Sequence, residues 1–149
     1  MTRKTIKYSF IVVVLIIAGS VFFAFKEFNR TKKDVADIEA AYTLSSNDII
    51  SAFSSDEKAA NLKFLDKTIA INGLIKSNDK DEQGMYTIVL GDSASMSSVR
   101  CRMDSIHNQE AINLKTGMPI TVKGICTGFN ADEMLGSDVI LNRCTIKIN

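Results

Sequence analysis

The apolar positions of the chain fall into three successive patterns. Residues Tyr8 to Phe25, YSFIVVVLIIAGSVFFAF, form a block of 18 residues, 15 of them apolar or aromatic and none charged. As a helix this block would extend about 27 Å, close to the hydrocarbon thickness of a bilayer. Residues 35 to 65 show a weaker, helix-like stripe. Val35, Ile38, Ala41, Tyr42 and Leu44 come first, then Ile49, Ile50, Ala52 and Phe53, then Ala59, Ala60, Leu62 and Phe64. Ser45, Ser46, Asn47 and Asp48 interrupt the stripe with capping residues, and Ser54 three residues before Glu57 fits a capping box. Leu62 and Leu65 are expected to cover a sheet.

From residue 66 the period changes to two, the period of a strand. Thr68 to Ile75, Tyr86 to Leu90, Val99 to Met103, Ile120 to Cys126 and Asp138 to Asn149 read as five strands. Gly73 inside the first predicts a bulge or bend, and the break in parity between Leu141 and Cys144 predicts another. His107 to Leu114 reads as a short helix or loop between the third and fourth strands. Strand glycines and bulges let a small sheet curl shut. The expected fold class is an N-terminal transmembrane helix, then short helices and a five-stranded all-β barrel. The expected boundaries are a basic flank at 1–7, the span at 8–25, a helical linker at 26–46 and the barrel domain at 47–149.

The basic start MTRKTIK would also suit a cleaved signal peptide. The apolar run is long for one, and Phe25, Lys26, Glu27 and Phe28 offer no small-residue cleavage site, so an uncleaved anchor is the expectation. Arg3, Lys4 and Lys7 before the span and Lys26, Arg30, Lys32 and Lys33 after it nearly balance, so charge does not set orientation.

The net charge of +1 conceals an uneven division, because residues 34 to 149 hold 11 basic and 16 acidic side chains, a net of −5. Nucleic-acid binding draws on basic residues that release counterions from phosphates. On that ground nucleic acid is not the expected partner. The sequence contains no Trp, and beyond residue 33 its aromatics are Tyr42, Phe53, Phe64, Tyr86 and Phe129, several of them needed for a core.

The residues that suggest chemistry are few. Cys126 and Cys144 fall in neighbouring strands. A disulfide between them would close a loop of 17 intervening residues and contribute about 3 kcal/mol in an oxidising compartment. The alternative is that Cys101, Cys126 and Cys144 are reduced, buried and act as small hydrophobes. No spacing suits zinc. His107 sits near Asp104 and Glu110, but its possible partner Cys101 alternates inward with Val99 and Met103, so no catalytic pair is expected. Asp79, Asp81 and Glu82, and Asp132 and Glu133, read as solvated turns. No catalytic residue, cofactor or metal is assigned, and the chain is expected not to be an enzyme.

Taken together, the helix at Ala59 to Leu65, TIAINGLI at 68–75, GMYTIVLGD at 84–92, VRCRM at 99–103, GMPITVKGICTGF at 117–129 and DVILNRC at 138–144 carry a family resemblance. The chain resembles the tRNA-anticodon-binding-like OB-fold family of small exported or membrane-tethered bacterial proteins. The resemblance covers about residues 47 to 148. It implies an OB-fold barrel and an oligonucleotide-binding ancestry, with Tyr86, Arg100 and Arg102 as ligand contacts on the OB face. With the cysteines, it also implies a single-pass protein of the bacterial inner membrane whose C-terminal domain faces the periplasm. The expected function is a membrane-tethered, non-enzymatic binding or structural module whose partner is a protein, peptide or envelope component. The alternative is oligonucleotide binding through the OB face.

Overall fold

The computed structural model describes residues 19–20, 33–132 and 134–147. The chain divides into two units, Met1–Lys33 and Asp34–Asn149. Of the first unit only Gly19 and Ser20, both helical and exposed, and Lys33 are described. The expected span at 8–25 otherwise lies outside the described residues. Among the described residues no helix is long and apolar enough to cross a membrane. A spanning helix needs about 20 consecutive apolar residues, whereas the longest described helix, Ser46–Ser55, has 10 and is amphipathic. Among the described residues the fold class is therefore corrected to a barrel with two short helices, and the expected transmembrane helix and the single-pass inner-membrane placement that rests on it find no support there.

In the second unit, two short helices precede and pack on a closed barrel. A 3-10 turn at Val35–Asp37 leads to strand β1 (Tyr42–Ser45), helix α1 (Ser46–Ser55) and helix α2 (Glu57–Phe64). There follow β2 (Thr68–Lys80), β3 (Tyr86–Leu90), β4 (Ser98–Met103), a 3-10 helix (Asn108–Ala111), β5 (Pro119–Asn130) and β6 (Asp138–Lys147). The sheet order is β1-β2-β3-β4-β6-β5, and β5 returns to pair with β2. Five strands thus close into a barrel, with β1 added in parallel along β2. Where the stripe at 35–44 suggests a helix, the chain makes one 3-10 turn and then a strand. The free edge of β2 supplies hydrogen bonds that outweigh a weak local preference for helix.

β2 belongs to two sides of the barrel. Thr68 to Leu74 pair with β5, and Ile75 to Lys80 pair with β3. The register shift that permits this falls between Ile75 and Ser77, not at Gly73. Gly73 serves a close approach instead, because a Cβ there would lie 3.0 Å from Ser46 Oγ and 3.2 Å from Leu90 Cβ. The parity break in β6 is a bulge. Cys101 pairs with Leu141 and Met103 with Cys144, and Arg143 within the bulge has φ 55°.

The helices close one side of the core. Ser45 and Asp48 form a capping box at the start of α1, Ser45 Oγ accepting from Asp48 N at 3.1 Å and Asp48 Oδ2 from Ser45 N at 3.3 Å. The N-cap of α2 is Asp56, whose carboxylate accepts from Ala59 N at 2.9 Å; Ser54 does not take that role. Ile49, Phe53, Ala60 and Phe64 are buried against Ile69, Ile71, Val122 and Leu141. The Phe53 and Phe129 rings stack at 5.1 Å. Leu62 is 82 % exposed and does not cover the sheet; Phe64 does, because it lies on the inward side of the short helix.

Candidate functional site

Strand β4 alternates between the two faces of the barrel wall, whereas in β3 Val89 is buried as well as Ile88 and Leu90. Thr87 pairs with Arg102, Ile88 with Cys101, Val89 with Arg100 and Leu90 with Val99. Ile88, Leu90, Val99, Cys101 and Met103 are buried in the core. Arg100 and Arg102 therefore stand on the outer face beside Thr87 and Val89. The turn at 81–85 lies at one end of this face and the loop at 131–137 at the other.

Both guanidiniums are loosely held. Arg100 Nη1 is 3.7 Å from Asp138 Oδ2, with its side chain 47 % exposed. Arg102 Nη2 is 3.6 Å from Asp81 Oδ2, with its side chain 52 % exposed. Exposed pairs of this kind contribute about 0–1 kcal/mol. The two acids are held more firmly by the backbone and neighbouring side chains than by the arginines. Asp81 Oδ1 accepts from Gln83 N at 2.9 Å and Met85 N at 2.8 Å. Asp138 Oδ1 accepts from Ser98 Oγ at 2.5 Å.

Tyr86, the third expected contact, shares parity with Ile88 and Leu90 and is packed against the core. Lys80 Nζ lies 5.4 Å from its ring centroid. The structure brings Arg100 and Arg102 together on β4 and places Tyr86 on the neighbouring strand β3, on the other face of the barrel wall. Its position was readable from the alternation, since a residue two before Ile88 must face as Ile88 does. The counter-charges Asp81 and Asp138 carried no local signal, because the turn and the parallel β4–β6 pairing bring them to the arginines.

The expected Cys126–Cys144 disulfide is absent. All three cysteines are free and buried. Cys126 sits opposite Leu141 in the β5–β6 register, and the bulge at Asn142 and Arg143 carries Cys144 beyond it, opposite Met103 of β4. Burial pushes the Cys126 thiol up to about 11. Burial, then the adjacent Cys101, pushes the Cys144 thiol well above 9.0. These are packed hydrophobes rather than nucleophiles. Among the described residues no group of three or more His, Cys, Asp or Glu could hold a metal.

His107 is paired with acids on both sides. Nδ1 lies 2.7 Å from Glu110 Oε1 and Nε2 lies 2.8 Å from Asp34 Oδ1. Elsewhere a cleft of about 1180 Å³ runs past Ser46, Gly73, Lys76, Met118 and Ile120, and neither Arg100 nor Arg102 lines it.

The tRNA_anti-like family profile matches residues 1–145. The chain belongs to this family. As a tRNA_anti-like protein it carries an OB-fold domain, the five-stranded barrel described above. Among solved structures it is similar to a lipoprotein of Klebsiella pneumoniae, described provisionally as nucleic acid-binding. That match has a TM-score of 0.54 and 15 % identity and covers 76 % of this chain and 95 % of the other. It also matches a Leishmania major protein described provisionally as an aspartyl-tRNA synthetase (TM-score 0.43, 12 % identity, 79 % of this chain and 22 % of that one). An asparaginyl-tRNA synthetase from Pyrococcus horikoshii gives a TM-score of 0.39 and 18 % identity over 56 % of this chain and 20 % of that one. The chain thus spans about a fifth of each synthetase. No curated protein matches it.

Family membership corrects the expected function and partner. A membrane-tethered module for a protein, peptide or envelope component, with nucleic acid set aside on net charge, is not the reading that the tRNA_anti-like domain supports. Net charge summed over a domain does not report the field at one face, because exposed charges beyond about 8 Å are largely screened at physiological salt.

Proposed function

We propose that the tRNA_anti-like domain is a non-enzymatic module that binds nucleic acid, single strands in particular, across the outer face of β3 and β4. The observation that carries this reading is the pair Arg100 and Arg102. They stand two residues apart on one strand, half exposed, and are restrained only by weak ion pairs. Exchanging a loose carboxylate contact for a phosphate costs little, and a guanidinium suits phosphate bidentately or lies flat against a base. A strand face between two loops suits an extended single strand, the ligand that OB-fold grooves track. The family and the Klebsiella relative's name support the same reading.

This face carries no aromatic platform, so the contacts fall on phosphate and affinity is predicted to be modest, sequence-tolerant and salt-dependent. The test is fluorescence anisotropy of labelled single-stranded RNA and DNA oligonucleotides against the full chain at several salt concentrations. The double variant Arg100→Ala/Arg102→Ala should weaken binding and reduce the slope of log K against log salt by about 1.4, two contacts at about 0.7 each. Equal affinity and slope for wild type and variant would remove the assignment.

A further inference from the structure

The segment that enters the barrel domain, residues 34 to 41, is fastened at several points. Val35 is fully buried. Lys123 Nζ of β5 donates to the carbonyls of Ala36 at 2.6 Å and Ile38 at 2.9 Å. Ala41 N donates to Thr68 O at 2.8 Å. At the start of the segment stands the contact between Asp34 and His107, 73 residues apart in sequence.

The chemistry of that contact differs from the others. A neutral imidazole has one N–H and one lone pair, while an imidazolium has two N–H donors. His107 faces a carboxylate at each ring nitrogen, at 2.7 Å and 2.8 Å, so only the imidazolium satisfies both. Glu110 is fixed independently, since its Oε2 accepts from Ile146 N at 2.8 Å and Thr145 Oγ1 at 3.2 Å. Glu110 is also only three residues from His107. A His107 that loses one proton therefore keeps Nδ1–H on Glu110 and turns a bare Nε2 toward Asp34. The long-range contact is the one that is lost.

The surrounding charges agree with this. Burial by itself would lower the His107 pKa, but the hydrogen bonds and charges of Asp34 and Glu110 outweigh it and raise the pKa above the ordinary 6.5. Asp34 is lowered from 3.8 first by the Ala36 N–H, then by His107, with Arg143 of β6 contributing through its charge. Asp104, in the loop before His107, is turned to Arg143, with Arg143 Nε at 3.1 Å from its carboxylate. It meets His107 only through its carbonyl, which accepts from His107 N at 3.0 Å.

We propose that Asp34, His107 and Glu110 form a proton-dependent latch that helps to hold residues 34 to 41 against the barrel and opens when His107 loses its proton as pH rises. The group with the raised pKa supplies stability that is complete below 6.5 and fades as pH passes its folded value. Asp34, with a lowered pKa, supplies stability above 3.8 that fades only in stronger acid. The latch is therefore shut between these limits. Opening removes the fastening at the start of the segment, beside the buried Val35, and leaves the Lys123 bonds to Ala36 and Ile38 to hold the rest.

Two measurements on the full chain test this. The first is an NMR titration of the single histidine, and the second is hydrogen exchange over residues 34–41 from pH 6 to 9, corrected for intrinsic rate. The expected His107 midpoint lies above 6.5. Protection at 35–38 should fall as pH passes that midpoint, while β2 keeps its protection. Linkage makes the fall tenfold for each pH unit between the midpoints of the fastened and released imidazole. Asp34→Asn should lower the midpoint, and His107→Gln should abolish the pH dependence of protection. A wild-type midpoint at or below 6.5, or protection that stays constant through the midpoint, overturns the latch. So does a pH-dependent loss that persists unchanged in His107→Gln.

Discussion

Gly124 provides a sharp test of the core. A Cβ at this position would lie 2.4 Å from Cys144 Sγ, 3.3 Å from Asn142 O and 3.4 Å from Leu141 Cβ. The backbone of Gly124 does not require glycine, because its φ lies outside the left-handed region. Two effects therefore oppose each other in Gly124→Ala. The smaller conformational freedom of the unfolded chain should stabilise by about 0.4–1 kcal/mol. Overpacking against a fully buried sulfur should destabilise by about 1–3 kcal/mol. The clash wins, because Cys144 is enclosed by the core and by Cys101 and has no open space to turn into. A net loss of about 1–2 kcal/mol is expected. With a urea m-value of about 2 kcal/mol per M, the midpoint should drop by about 0.5–1 M. Removing the sulfur should reverse the sign. In a Cys144→Ala background the new methyl fills the space that Sγ leaves, and Gly124→Ala should be neutral or stabilising. The assay is urea unfolding followed by far-UV circular dichroism on wild type, both single variants and the double variant. Strict additivity, with no coupling above about 0.5 kcal/mol, would refute the reasoning, as would an unchanged midpoint in Gly124→Ala alone.

Other expectations follow from the same contacts. Ser45→Ala removes one half of the α1 capping box and should cost about 1 kcal/mol, read as a lower urea midpoint. Without reductant, an unfolded sample should titrate three thiols with Ellman's reagent, whereas the native protein at pH 8 should react slowly, since Cys126 stays protonated up to about 11; two missing thiols would restore the disulfide. Gly136 has φ 89°, and a Cβ there would lie 2.5 Å from the Met96 backbone. Gly136→Ala should therefore loosen the contact between the loops at 92–97 and 131–137, seen as increased amide exchange in both.

The barrel strands were legible in the chain because a half-buried strand imprints period two on its own sequence, as in Val99, Cys101 and Met103 against Arg100 and Arg102. The bulge near Arg143 was legible for the same reason, as a failure of that period. β1 was misread as helix because Tyr42 to Ser45 are too few to establish a period, and what makes them a strand is the edge of β2. The cysteines were misread because strand neighbourhood does not give register. A shift of residues at the bulge decides whether Cys144 meets Cys126 or Cys101. Tyr86 was assigned to the ligand face on residue type, although its parity with Ile88 already placed it inward.

By itself, the sequence determined the succession of the five barrel strands, the inward and outward sides of β4, the acidic balance after residue 33 and the family. These are properties of single residues and of short-range alternation. Only the tertiary structure decided that Arg100 and Arg102 are held by Asp138 and Asp81, that the thiols are free and enclosed, and that His107 lies between Glu110 and Asp34. Each of these depends on distances between residues far apart in the chain, which are set by closure of the barrel and by its bulges.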